Sequence, residues 1–396
     1  MPPRPHPLAR SGRVDRLNGL LEQAWDKGIS SRPSLDPEIL WAKALPDEPA
    51  AGEHGGRSAP EAADFRVRLD QLCQSLVNEA QLNSLGLTFA HGQLLRVIRQ
   101  RLRLGAVWQN RPDLAERRIA PPIIVVGQMR SGTTRVHRLL AADPEHASTR
   151  FCDSWQPVPR SPDTRPAWSA LSLGFARLLD PWLDAIHPFG VTRPDEELGW
   201  LASALDHCAY EAQWRIPAFT AFSEARDPAP VYREFARILR MDADWRGNAH
   251  LPRVLKVPQF AEDLPALLAQ FPDARVIRTH RAEADVVQSA ASLVANQMTI
   301  QSDHVDLGWI EAEAARKVLL RRERMDAALA TFTGPLAQVD FADLEADWET
   351  TIARAYRELG LALGASTLDC LRGEQGKARK SRHGEHAATY RKFAQA

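Results

Sequence analysis

The sequence predicts an α/β protein in which a parallel β-sheet is flanked by helices. The apolar run Ile123–Val126 has no polar alternation, which is typical of a strand buried on both faces. A glycine-containing turn at 127–132 follows it, and a helical pattern begins at once. A second strand–helix–strand–helix unit is readable over residues 253–294. Strands that alternate with helices indicate a parallel sheet with right-handed crossovers.

Individual elements follow from periodicity and β-branched content. The sequence predicts three further strands and three further helices after the first strand–turn–helix unit. The strands are expected at 254–257, 274–279 and 336–341, and the helices at about 264–271, from 283 onward and at 348–359.

The 396-residue chain is predicted to have three parts. Residues 1–60 should hold a mobile arm to about residue 14, a short helix to about residue 24, and a loop or linker over 45–60. Leucines at helical spacing predict an N-terminal helical region over 61–118.

Residues 119–396 are expected to form the α/β domain, with a mostly helical insertion over about 150–250. Proline and aromatic residues predict an irregular segment at 151–162 inside it. An insertion beside the sheet is well placed to shape a binding pocket.

Composition excludes several classes. Fifty basic residues balance fifty acidic ones, so no global field favours nucleic acid or anionic membrane. The basic N-terminus lacks an apolar signal segment, and no apolar run reaches membrane-span length. Four widely spaced cysteines predict buried, reduced thiols and no metal site. We therefore expect a cytoplasmic protein, and the scarcity of lysine relative to arginine suggests a bacterial one.

The turn after the first strand has the chemistry of an anion site. Gly127 and Gly132 allow the loop to curl, and the helix from Thr133 presents unpaired amides and its positive dipole end. The spacing G-x-x-x-x-G matches nucleoside triphosphate loops, but Thr133 stands where those loops need lysine. Arg130 lies inside the loop instead. An ordinary strand-to-helix turn is the alternative interpretation.

The stretch Arg130-Ser131-Gly132-Thr133-Thr134 resembles the donor loop of sulfotransferases that use 3′-phosphoadenosine 5′-phosphosulfate (PAPS). The resemblance implies a P-loop-like fold, a loop from Gln128 and Met129 to Thr134 that holds the 5′-phosphosulfate, and no magnesium. Arg130 is then expected to neutralise charge on the bridging oxygen.

A second motif supports the same resemblance. Arg281 ends a predicted strand and Ser289 follows on the next helix, and in sulfotransferases this pair holds the 3′-phosphate of PAPS. A guanidinium fork and a hydroxyl suit that anion. The alternative is a structural Arg281 paired with Glu283 or Asp285. The resemblance also implies that a basic C-terminal segment, with Arg379 and Arg382, contacts the nucleotide.

Lys256 and an acidic residue complete the predicted catalytic set. Related sulfotransferases have a lysine at the position of Lys256 that faces the transferring group, although Val257 and Gln259 depart from their pattern. Glu196 best matches the glutamate of an acidic element in bacterial members, and Glu197 is second. A solvated lysine and an ordinary helix-start acid are the alternatives.

Histidines are alternative bases, although none has a distinguishing sequence context. They are His137, His187, His207 and His280.

Together these features predict transfer of a sulfuryl group from PAPS to a hydroxyl of a small-molecule, carbohydrate or lipid acceptor. A P-loop small-molecule kinase and a catalytically inactive PAPS-binding protein are the alternatives. The sequence predicts neither the acceptor nor the oligomeric state.

Overall fold

The computed structural model describes residues 4, 6–48 and 50–379. Helices precede, interrupt and follow a five-stranded parallel sheet, so the predicted α/β class is confirmed. Within the described ranges, no helix is long and apolar enough to cross a membrane.

Among the described residues, four α-helices precede the sheet, and polar side chains cap the N-termini of the last two. The helices are α1 (Gly12–Asp26), α2 (Pro37–Ala44), α3 (Ala59–Asn78) and α4 (Ser84–Asn110). Ser58 and Glu61 form a capping box at the start of α3, and Asn83 accepts from the amide of Gly86 at the start of α4. Buried leucines of α2, α3 and α4 belong to one hydrophobic cluster with helices of the later insertion.

The segment expected as an arm and linker makes specific contacts. Arg10 donates to the carbonyl of Thr299 at 3.1 Å, which attaches the chain before α1 to the body of the protein. A Cβ on Gly52 would meet the carbonyl of Leu102 at 1.9 Å. A Cβ on Gly55 would meet the carbonyl of Gly105 at 2.1 Å. This segment, predicted as a loop or linker, lies directly on α4, because its glycines let the two backbones approach closely.

The sheet has the strand order β2-β3-β1-β4-β5. Every pairing in it is parallel. The strands are β1 (Ile123–Val126), β2 (Ala147–Ser148), β3 (Arg253–Leu255), β4 (Arg275–His280) and β5 (Leu336–Asp340). The central strand β1 is fully buried. Because parallel strands end at one edge, the turns after β1, β3 and β4 meet there.

Two hydrophobic clusters cover the sheet. Ile124 and Val126 face a cluster that includes Phe235 and Phe260, whereas Ile123 and Val125 pack in a cluster with helices on the other face. This alternation confirms the two-sided burial that the apolar run predicts.

The helices after β1 are α5 (Thr133–Leu140), α6 (Phe151–Trp155), α7 (Arg165–Leu179), α8 (Leu183–Ile186), α9 (Leu198–Ser203), α10 (Cys208–Glu211), α11 (Pro217–Ala225), α12 (Ala229–Trp245), α13 (Phe260–Gln270), α14 (Glu283–Gln301), α15 (Leu307–Ala330), α16 (Phe341–Ala346), α17 (Trp348–Glu358) and α18 (Ala365–Arg379).

Some local predictions were wrong. Residues Phe151–Trp155 form α6 instead of irregular chain, because Arg150 pairs with Asp153 and the amide of Ser154 bonds back to Arg150. Cys370 is exposed, whereas Cys73, Cys152 and Cys208 are buried as expected, and all four thiols are free.

Candidate functional site

The loop between β1 and α5 is held against the neighbouring strand. A Cβ on Gly127 would meet the hydroxyl of Thr279 at 2.1 Å, so only glycine allows this approach to β4. Gly132 caps α5 with φ 91°, and Arg130 also has a left-handed backbone, with φ 70°. Alternating right- and left-handed residues turn successive amides to one side and form an anion-binding concavity. The strained backbone at Arg130 is consistent with a functional loop.

Ser131 stabilises the loop itself. Its hydroxyl lies 2.7 Å from the carbonyl of Gln128 and 2.7 Å from the hydroxyl of Thr279, and the residue is 1% exposed. Its amide also donates to Gln128. Although we predicted donor binding by Ser131, its polar groups are used inside the loop. Thr279 is a further residue of this arrangement, and in the sequence it is marked only by its position near the end of a predicted strand.

Arg130 joins the loop to the second motif. Its Nε donates to Ser289 Oγ at 2.8 Å, and Nη1 donates to the carbonyl of Ile186 at 3.1 Å. Burial and the nearby charge of Arg281 lower the pKa of Arg130 to about 10, so it remains cationic at neutral pH.

Arg281 contacts the backbone of the same loop. Its Nη1 donates to the carbonyl of Arg130 at 3.0 Å, and its guanidinium lies 4.4 Å from the centre of the Phe341 ring. The contact with Asp285 is longer, at 3.4 Å and partly exposed. Its Nε is buried without an acceptor among the described residues. Arg281 therefore retains a donor that the fold does not use.

Lys256, Glu196 and Thr134 converge at the start of α5. Lys256 forms an ion pair with Glu196 and donates to Thr134 Oγ1 at 3.0 Å. The Lys256 side chain is 2% exposed and that of Glu196 is 18% exposed, so the pair is mostly shielded from solvent. The structure thus places the predicted lysine and glutamate beside the first turn of α5, and Lys256 is not a solvated surface residue. Thr133, the other predicted hydroxyl, is buried in the first turn of α5.

Glu197 has a different place from Glu196. It is fully buried, and its Oε2 accepts from the backbone amide of Lys256 at 2.9 Å. Burial raises the pKa of Glu197 to about 8. Through this hydrogen bond, Glu197 fixes the position of the backbone at Lys256.

Three of the predicted histidines lie in different environments. Burial and the charge of Lys256 lower the pKa of His137 to about 3, so its ring is a weak base. His187 lies 3.2 Å from Asp195, which sequence analysis did not single out. His280 is exposed at the end of β4.

His207 belongs to a buried group of charged residues away from these motifs. Its Nε2 lies 3.1 Å from Lys317 Nζ, which also contacts Glu224 at 2.9 Å and Glu262 at 2.5 Å. Although His207, Glu224 and Glu262 have the spacing of a metal site, the ammonium of Lys317 lies among them.

The C-terminal helix packs against the start of the candidate site. Leu371 of α18 shares a cluster with α5, and Gln375 accepts from Arg135 at 3.2 Å. The helix α18 therefore lies against α5. The side chain of Arg379 and the whole of Arg382 lie outside the described residues.

The geometry therefore defines an α/β protein in which Arg130, Arg281 and Lys256 lie around a glycine-containing loop at the carboxyl edge of a parallel sheet. A model of the sulfotransferase family matches residues 121–364, more than half of the chain. The protein belongs to the sulfotransferase family, and the enzyme class predicted from the loop is confirmed at that level.

Solved structures agree with this family. The chain is similar to sulfotransferase STF1 of Mycobacterium tuberculosis, with 25% identity, a TM-score of 0.71, and coverage of 91% of this chain and 98% of that one. It is also similar in fold to sulfotransferase STF9 of Mycobacterium avium, with 19% identity, a TM-score of 0.74, and coverage of 85% and 86%. A search of curated proteins found no match.

Proposed function

We propose that the protein transfers the sulfuryl group of PAPS to a hydroxyl of a small-molecule, carbohydrate or lipid acceptor. The contact between Arg130 and Ser289 carries the proposal, because it joins the two predicted anion motifs. A nucleotide donor that carries a 5′-phosphosulfate and a 3′-phosphate needs two adjacent anion-binding sites on the protein. The sulfuryl group of this donor is activated, because it is bonded to a phosphate oxygen that leaves with the nucleotide.

The residues present suit such a donor. The amides of the loop and the first turn of α5 offer hydrogen bonds to the 5′ group, and Arg130 adds positive charge. Arg281 has an unused buried Nε, and Ser289 supplies a hydroxyl for the 3′-phosphate. Thr133, where a triphosphate loop has lysine, favours the sulfuryl donor over ATP with magnesium.

In this proposal Glu196 accepts the proton of the acceptor hydroxyl, and Lys256 stabilises the charge that develops on the leaving oxygen. The acceptor oxygen forms a bond to sulfur while the bond from sulfur to the bridging phosphate oxygen breaks, and the acceptor proton passes to Glu196. Lys256 forms an ion pair with Glu196 before transfer, and its ammonium, together with Arg130, then stabilises the charge on the leaving oxygen. The products are a sulfate ester and adenosine 3′,5′-bisphosphate.

Calorimetry tests the donor assignment without knowledge of the acceptor. Adenosine 3′,5′-bisphosphate should bind in the presence of EDTA, and more tightly than adenosine 5′-monophosphate, which lacks the second anion. ATP with magnesium should bind more weakly. Tighter binding of magnesium ATP than of the bisphosphate would favour the kinase alternative and contradict the proposal.

A further inference from the structure

The irregular chain between α8 and α9, residues 187–197, joins the two sides of the proposed transfer site. Just before it, the carbonyl of Ile186 accepts from Arg130 Nη1 at 3.1 Å. Near its end, Glu196 forms the ion pair with Lys256. The distance between Arg130 and Glu196 therefore depends on how this segment is held.

Asp195 connects the two ends of the segment through one oxygen atom. Its Oδ1 lies 3.2 Å from His187 Nε2 and accepts from the amide of Glu196 at 2.8 Å. Asp195 is 6% exposed, and its own amide donates to the carbonyl of Thr149 at 2.9 Å. One buried carboxylate thus ties the residue after Ile186 to the backbone of the proposed base.

The charge of Asp195 strengthens both contacts. Although burial acts against ionisation, the charge of His187 and the hydrogen bonds from His187 and the Glu196 amide lower the pKa of Asp195 to about 2. An ionised carboxylate only accepts hydrogen bonds, so His187 Nε2 carries the proton of its contact. Hydrogen bonds to a charged group contribute about 1.5–3 kcal/mol, more than neutral ones.

Backbone hydrogen bonds hold the middle of the same segment against the start of α6. The amide of Cys152 donates to the carbonyl of Val191 at 3.0 Å. The amide of Phe151 donates to the carbonyl of Arg193 at 3.1 Å. These bonds do not involve the side chain of Asp195, so the segment should stay folded when that side chain is changed.

We propose that Asp195 and His187 are a positioning pair that sets Glu196 at the right distance from Arg130 for sulfuryl transfer. Asp195 acts on Glu196 through its amide, and His187 follows the residue whose carbonyl holds Arg130. Misplacement of a reacting group by about 1 Å can cost about a hundredfold in rate. The assignment rests on the proposed function, because it concerns the geometry of that reaction.

Two variants of Asp195 separate its hydrogen bonds from its charge. Asp195→Ala removes both contacts, so transfer of labelled sulfate from saturating PAPS to a metabolite extract should slow about ten- to a hundredfold. Asp195→Asn keeps an oxygen that accepts from His187 and from the Glu196 amide, so its rate should stay within about threefold of the wild type. The Kd for adenosine 3′,5′-bisphosphate should change less than about twofold in both, because the donor loop and Arg281 are assigned to the nucleotide.

Asp143 gives a matched control after the far end of α5, away from the donor loop. It is 3% exposed, accepts from the amide of Glu145 at 3.0 Å, and lies 3.8 Å from the ring of His146. Asp143→Ala should lower the free energy of unfolding in urea about as much as Asp195→Ala, yet change the transfer rate less than about twofold. Equal losses of rate in the two alanine variants would assign the effect to stability alone and overturn the proposal.

Hydrogen exchange at the Glu196 amide tests the pair without an enzyme assay. His187→Ala leaves the direct partner of this amide in place but removes the second contact of Asp195. Exchange should therefore be about five- to tenfold faster. Unchanged exchange, a full transfer rate in Asp195→Ala, or a rate in Asp195→Asn as low as in Asp195→Ala would overturn the proposal.

The two readouts separate failure of this inference from failure of the proposed function. If exchange is faster in His187→Ala while the wild type transfers no sulfate, the proposed function is wrong and the pair stands as the support of the Glu196 backbone. If the wild type transfers sulfate and exchange is unchanged in His187→Ala, the proposed function stands and the positioning pair is wrong.

Discussion

Arg130 and Ser289 are 159 residues apart in the chain, and their side chains share a hydrogen bond of 2.8 Å. Arg281 completes the arrangement by donating to the carbonyl of Arg130. The loop after β1 and the start of α14 are therefore one preformed surface. Such a surface suits two anionic groups of one ligand, because the cations are already oriented before binding.

Removal of Arg281 should weaken donor binding. Charge-assisted hydrogen bonds contribute about 1.5–3 kcal/mol, so Arg281→Ala should raise the Kd for adenosine 3′,5′-bisphosphate by about ten- to a hundredfold. Calorimetry measures the change. Binding of adenosine 5′-monophosphate should change little.

A surface arginine gives the matched control for this experiment. Arg322 pairs with Glu283 at an exposed site, so Arg322→Ala should leave bisphosphate binding unchanged. Equal affinities for the wild type and Arg281→Ala would show that Arg281 is structural.

Lys256→Met should slow sulfuryl transfer. Methionine keeps much of the buried volume but removes the ammonium that we assign to the leaving oxygen. Loss of one well-placed electrostatic donor costs about 10²- to 10³-fold in kcat. Lys43→Met changes an exposed lysine and serves as the control. If the Lys256→Met protein binds the bisphosphate and keeps full kcat, Lys256 is not part of the transfer chemistry.

Glu196→Gln should remove the proton acceptor while preserving the shape of the side chain. General-base catalysis contributes about 10²- to 10⁴-fold, so kcat should fall by that amount with bisphosphate binding retained. Glu283→Gln, at an exposed ion pair, is the matched control. A loss of activity in Glu197→Gln that exceeds the loss in Glu196→Gln would transfer the role to Glu197.

Glu197 should make stability depend on pH. Its pKa is raised by burial from 4.5 to about 8 in the folded protein, so the protonated acid is favoured there. Its contribution to stability is fully present below pH 4.5, and is lost as pH rises through 8. Between pH 5 and 8, the wild type should lose about 2–4 kcal/mol more unfolding free energy than Glu197→Gln.

Urea unfolding of both proteins at the two pH values measures this difference. The glutamine side chain stays neutral at both, so it isolates the titration of Glu197. Parallel changes in the two proteins would mean that Glu197 is ionised in the folded state near neutral pH.

The sequence was most informative where local pattern and fold coincide. The four apolar residues of β1 are buried on both faces as the absence of alternation predicts, and the helix after Gly132 begins at Thr133 as expected. Lys256 lies beside Thr134, at the start of that helix.

Long-range contacts are the part that the sequence could not provide. No local pattern shows that Ser131 is bonded to Thr279, or that Gly52 and Gly55 lie on α4, because each depends on a partner far along the chain. The same holds for a cavity whose walls come from the loop after β1, the helical insertion, α14 and α15. Even α15 went unpredicted, since its apolar residues face several neighbours and leave no single stripe.

Transfer of labelled sulfate from PAPS tests the central claim most directly. The purified protein, incubated in EDTA with labelled PAPS and a metabolite extract, should produce a labelled sulfate ester and adenosine 3′,5′-bisphosphate in equal amounts. Lys256→Met should produce both about 10²- to 10³-fold more slowly. No transfer to any acceptor by a protein that binds the bisphosphate would contradict the account and identify a catalytically inactive PAPS-binding protein.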